Sequence, residues 1–145
     1  MNYITFLNTI YSGLTYLTTT GLTDVIYIKY ELADLIELDP QSYPGSTQSG
    51  KSIWITPIPM SIDADNLITY SARIYVAQQI SESMSDRFTA FSSCIQLVKM
   101  LVEWLPYNWN GLQFPVNITP VLLFDACVDG VYFDISVKFN LECLV

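Results

Sequence analysis

The chain has 145 residues, 51% of them apolar, which is enough for one buried core and too apolar for a disordered tail. Only 14% are charged, and the net charge of −8 rules out gripping nucleic acid through phosphate neutralisation. The absence of histidine excludes Ser-His-Asp and Cys-His nucleophile pairs and every imidazole-ligated metal site.

Tyr3, Leu7, Ile10, Leu14 and Leu17 recur at helical spacing and predict a first helix over about Asn2–Leu17, weakened by Gly13 and ended by Thr18–Gly21. Its polar interruptions (Asn2, Thr5, Asn8, Thr9, Ser12, Thr15) argue against a signal peptide or a membrane span. Asp24–Glu31 is β-branched and aromatic and reads as a strand. Leu32–Leu38 fits either a helical turn or more sheet. Asp39–Ser52 carries Pro40, Pro44, Gly45 and Gly50 and reads as a long loop. Ile53–Met60 is extended, and Pro57 and Pro59 confine it to an edge or to a stretch outside the sheet.

Leu67–Ile80 alternates, with Ile68, Tyr70, Ala72, Ile74 and Val76 on one face and Thr69, Ser71, Arg73 and Tyr75 on the other. After N-caps at Ser83–Ser85, a helix runs to Leu105. Phe88, Phe91, Ile95, Val98, Val102 and Leu105 form its apolar stripe, and Pro106 stops it. Tyr107–Pro115 is an aromatic loop. The chain then closes in a β-hairpin over about Ile118–Cys143, in which Val131, Phe133, Ile135, Val137 and Phe139 alternate with polar residues.

Asp129-Gly130 is the dipeptide favoured in a two-residue type I′ turn. A turn there makes residues whose numbers sum to 259 face each other. Leu122 then meets Val137, and Asp125 meets Asp134 on the polar face. Two opposed carboxylates are mildly unfavourable; they could bind a cation, meet a basic partner, or splay into water. The order of elements has no βαβα alternation. It predicts a single α+β domain over residues 1–145, an antiparallel sheet with two helices packed on one face and a long C-terminal hairpin, with a flexible loop at about 39–59.

Two constellations carry no chemistry in this reading. Cys94, Cys127 and Cys143 are widely spaced and lack a C-x-x-C pair, so they read as buried thiols. Gly45-Ser46-Thr47-Gln48-Ser49-Gly50-Lys51-Ser52 matches the P-loop string literally. It leads, however, into Ile53-Trp54-Ile55-Thr56-Pro57, which cannot supply the helix N-terminus that cradles phosphate. No catalytic, cofactor or metal residues are assigned, and none of these groups is expected; an enzyme would have to work with Asp, Glu, Lys, Tyr or Cys alone.

The strand Leu67–Ile80, the helix Asp86–Leu105, and the ending Ile118-Thr119-Pro120-Val121 with Asp129-Gly130-Val131-Tyr132-Phe133-Asp134-Ile135 give a layout that resembles the tail-terminator or tail-completion fold of tailed bacteriophages, shared with neck and connector ring proteins. The low-charge style rich in Thr, Asn, Tyr and Ile is also similar to structural proteins of phages infecting gut Bacteroidetes, including crAss-like phages. The resemblance implies a virion protein, assembled in the host cytoplasm, that forms a homo-oligomeric ring of six or twelve subunits between portal, neck or tail proteins. Such a ring encloses DNA without binding it specifically, and an acidic lining suits that task. Contacts are then expected through the polar sheet face, with Asp125, Asp134 and Lys138, and through the loop around Tyr43–Pro59, with Tyr43, Lys51, Trp54 and Ile55. An exposed Trp54 is the first choice of anchor. The alternative is a non-catalytic module binding a ligand or peptide, in a concavity around Trp104, Tyr107, Trp109 and Phe114.

Overall fold

A computed structural model describes residues 2–21, 25–30, 51–79, 84–107, 109, 111–124 and 128–140. The elements are α1 (Tyr3–Thr19), β1 (Val25–Tyr30), β2 (Lys51–Pro57), β3 (Ser61–Ile62), β4 (Leu67–Gln79), α2 (Met84–Trp104), β5 (Ile118–Phe124) and β6 (Val128–Asn140). A 3₁₀ turn, Leu105–Tyr107, ends α2 where Pro106 forbids further helix. The fold is α+β: two helices lie on one face of a sheet whose strand order is β1-β2-β4-β6-β5. Every pair is antiparallel except β1–β2, which is parallel. The segment 31–38, whose sequence allowed two readings, lies outside the described residues.

α1 begins where Asn2 accepts the Thr5 amide at 2.8 Å, and it stops at Gly21, whose φ of +74° favours glycine. Phe6, Ile10, Leu14 and Leu17 form its buried stripe. On α2 the buried stripe is Ala90, Cys94, Leu97, Val98 and Leu101, and Leu105 of the 3₁₀ turn continues it. The helices meet at Gly13, where an added Cβ would lie 2.7 Å from the Trp104 ring and 3.0 Å from Leu101. Gly13 costs helix propensity and provides the close crossing. Gly13→Leu is expected to lower stability by about 1–3 kcal/mol, since the two helices must separate. An unchanged thermal midpoint would refute that.

The sheet's inner face is set by the alternation. Ile53 and Ile55 of β2, Tyr70, Ala72, Ile74 and Val76 of β4, and Val131, Phe133, Ile135 and Val137 of β6 all join one core. At one end an aromatic cluster closes it. Phe6 stacks on Trp109 with ring centroids 5.2 Å apart and lies 5.8 Å from Tyr70, while the Tyr3 hydroxyl donates to the Ser71 carbonyl at 3.0 Å.

Two expectations are corrected. Lys51–Pro57 is an interior strand, paired to β1 on one side and β4 on the other. The prolines are tolerated because, among the described residues, the pairing with β1 reaches only Ile55 and leaves Pro57 no partner strand on that side, and Pro59 lies in the break before β3 resumes pairing with β4. The hairpin turn is not at Asp129-Gly130 either. Ile118 faces Phe133 and Leu122 faces Asp129, so the chain reverses between Phe124 and Val128, and Asp129-Gly130 lies inside β6. Gly130 sits there for space: a Cβ would come 2.1 Å from the Val76 carbonyl oxygen of β4. Leu112–Gln113 continues the pairing along β6, with the Gln113 amide donating to Ser136 at 2.8 Å and the Lys138 amide to Gly111 at 3.0 Å.

Candidate functional site

The sheet face away from the helices holds the charged residues that the alternation placed there. β4 sets Arg73 opposite Asp134 of β6. The pair is bidentate, Nε to Oδ1 at 2.8 Å and Nη2 to Oδ2 at 3.2 Å. The guanidinium also lies 4.4 Å from the Tyr132 ring centre, and Tyr132 packs 5.6 Å from Tyr75. Its hydrogen bond to Asp134 pushes the Arg73 pKa upward despite partial burial, so it is a fixed cation. Beside it the Ser71 and Ser136 hydroxyls share a hydrogen bond at 2.8 Å. Gln113, Asn117 and Thr119 complete a shallow polar recess of about 270 Å³ over this group. Arg73 is already satisfied by its carboxylate, so the recess offers hydrogen bonds to a polar surface rather than a vacant anion site.

At the same face's far corner, Lys138 lies 3.4 Å from Asp63. Asp63 Oδ1 also accepts the Asp65 amide at 3.0 Å and the Leu67 amide at 3.1 Å, which holds the β3–β4 turn and the left-handed Asn66 (φ 59°). Donation from the Leu67 amide, outweighing partial burial and aided by Asp65 and Lys138, lowers the Asp63 pKa. A folded-state pKa below the unfolded one stabilises at neutral pH, and that contribution is lost as pH falls below about 4. Asp63→Asn is therefore expected to be less stable than wild type at pH 7 and to lose part of that gap by pH 3. A gap in urea midpoint that stays constant between the two pH values would contradict this.

A second surface is apolar. α2 and the segment 114–118 enclose an open groove of about 750 Å³, lined by Ile95, Val98, Val102, Phe114, Val116 and Ile118, with Lys99 at its rim. Phe114 is 64% exposed and Ile95 42%. The sequence put Phe88 and Ile95 in the core stripe of α2. That stripe is wider than the sheet can cover, and the uncovered flank carries exposed Phe88 and Ile95.

The sequence-derived contact residues fall into three groups. Lys51, Trp54 and Ile55 stand in β2 and are 3%, 2% and 0% exposed, so none of them projects from a loop. Ile55 faces the helices; Trp54 pairs with Tyr75 on the opposite face. Lys51 and Ser52 open a strand, the opposite of a P-loop's helix. Asp134 and Lys138 do share the outer face, but Asp134 is engaged by Arg73 rather than set against Asp125. Tyr43 and Asp125 lie outside the described residues. Arg73 was missed as a site residue, although its alternation already placed it on this face. Of the aromatics of the proposed concavity, the three whose side chains are described do not converge: Trp109 is buried against Phe6, Trp104 stacks on Tyr16 at 6.2 Å, and Phe114 rims the groove. Among the described residues no cluster of three His, Cys, Asp or Glu could hold a metal, and no helix is long and apolar enough to cross a membrane. Compared with known proteins, the sequence matches no family model and no curated protein.

Proposed function

We propose that the chain is a structural subunit of a homo-oligomeric ring in the neck or tail of a tailed bacteriophage, joining portal and tail around the DNA channel. The observation that carries this reading is the open apolar groove on α2. An uncovered apolar surface with large exposed side chains, on a chain this poor in charge, is what a buried assembly contact requires. The helix–sheet order supports it through the resemblance of its layout to tail-terminator proteins. The net charge of −8 supports a lumen that DNA slides through without sticking.

The groove's volume of about 750 Å³ favours one second reading, a ligand-binding module. Its described lining offers Lys99 as the one charged group, which is little to orient a small molecule. Native mass spectrometry of the purified chain, with and without Mg-ATP, separates the readings. A closed ring of about six or twelve subunits with no nucleotide adduct is expected. A monomer that gains a stoichiometric small-molecule mass would replace the ring with the module.

A further inference from the structure

We infer that the polar recess over Arg73 and Asp134 is a binding site for one unit of a neutral sugar. It is separate from the apolar groove, and a ring subunit can carry it, so this inference and the ring reading stand or fall apart.

Charge selects the class of ligand. The recess holds one guanidinium and one carboxylate, already joined by hydrogen bonds of 2.8 and 3.2 Å. An incoming anion would meet Asp134 and an incoming cation would meet Arg73, so neither gains a net attraction for the water it gives up. A neutral ligand escapes that conflict. The pair still has hydrogen bonds to offer it. Asp134 and Tyr75 engage only part of the guanidinium's donors, and each Asp134 oxygen keeps a lone pair beyond the one Arg73 uses. The two side chains are 31% and 39% exposed, so both keep surface that lines the recess. Donors and acceptors thus lie side by side, which suits a hydroxyl group, since it donates and accepts at once.

The rest of the lining continues the pattern. The register of β5 sets Thr119 opposite Tyr132 on the outer face. The side chains of Thr119 and Asn117 hydrogen-bond to no other described residue, and an amide and a hydroxyl again supply both donor and acceptor. Pro115 and Tyr132 add apolar wall for the C–H face of a sugar ring. A volume of about 270 Å³ is at the small end for ligand pockets and suits one pyranose rather than a nucleotide. A peptide strand would instead seek an open sheet edge, where backbone groups pair, and this recess opens on the face of the sheet.

Saturation-transfer-difference NMR on the full chain tests the site, with methyl glucoside, methyl galactoside and N-acetylglucosamine as neutral probes and glucuronate and glucosamine as charged counterparts. At least one neutral probe is expected to bind with Kd on the order of 1–10 mM, the range open to a ligand of about a dozen non-hydrogen atoms. The charged counterparts are expected to bind more weakly. Asn117→Ala/Thr119→Val changes two exposed positions and is expected to keep the wild-type circular dichroism while weakening binding about tenfold or more. Asn117→Ala, which lies outside the strands, replaces it if the double variant unfolds. Ile95→Ser in the apolar groove is expected to leave binding unchanged. No transfer to any neutral probe, a charged counterpart that binds more tightly, or binding that survives the recess variants or is lost with Ile95→Ser overturns the inference.

Discussion

Gly130→Ala should destabilise the protein by about 3 kcal/mol or more. Gly130 pairs with Ala77 across the β4–β6 ladder. An alanine Cβ would sit 2.1 Å from the Val76 carbonyl oxygen and 2.8 Å from the Ala77 Cα. Both are backbone atoms of a central strand already held by β2 on its other edge, so neither can swing aside as a side chain would. Relief requires β6 to bulge away from β4, which would loosen the neighbouring pairs Val76–Val131 and Gln78–Asp129. Urea unfolding measures it. A midpoint within experimental error of wild type would show that the two strands are farther apart here than described.

Trp109→Ala should cost about 3–5 kcal/mol, the usual range for removing a fully packed indole. Trp109 follows the turn that ends α2, its amide still bonded to the Leu105 carbonyl at 3.1 Å, and its ring fills the end of the core against Phe6. Its indole Nε1 is buried and has no hydrogen-bond partner among the described residues. That separates two parts of the residue's contribution. Trp109→Phe keeps an aromatic plate against Phe6 and removes a donor buried at a cost, so it should lose about 1 kcal/mol or less. If phenylalanine is as damaging as alanine, the indole nitrogen is bonded after all. If alanine is harmless, the cluster of Tyr3, Phe6, Tyr70 and Trp109 does not close the core.

The elements themselves were legible because each has an unbroken period. The predicted helix Asn2–Leu17 is α1 (Tyr3–Thr19), and the alternation over Leu67–Ile80 is β4 (Leu67–Gln79). The inner and outer faces of β4 and β6 follow from the same alternation. Register was not legible. With the turn at Asp129-Gly130, facing residues sum to 259; in the structure Ile118–Phe133 and Leu122–Asp129 sum to 251. The two differ by an even number, so each side chain keeps its face and the apolar pattern cannot tell them apart. What decides is the close approach of β4, which demands a glycine at 130 for a reason unrelated to turns. Asp134 consequently meets Arg73 across β4, a partner that lies 61 residues away in sequence. The β2 misreading has a similar cause. Two prolines mark an edge only if the whole segment is one strand, and here they fall at its end and in the break after it. The groove was hidden because helical spacing shows which residues could be buried, not how much sheet there is to bury them.

The position of β6 between β4 and β5 has a kinetic consequence. It is the last described strand to be synthesised, yet it occupies the interior of the sheet. Until it is inserted, one long edge of β4 stays open and the helices have only part of their apolar floor. Pairs such as Leu67–Asn140 and Gln79–Val128 span most of the second half of the chain, so closing them is entropically late. Folding should therefore be slow for a domain of this size, in the millisecond-to-second regime of topologies dominated by non-local pairing. The open β4 edge of the incomplete chain is where misassembly would begin.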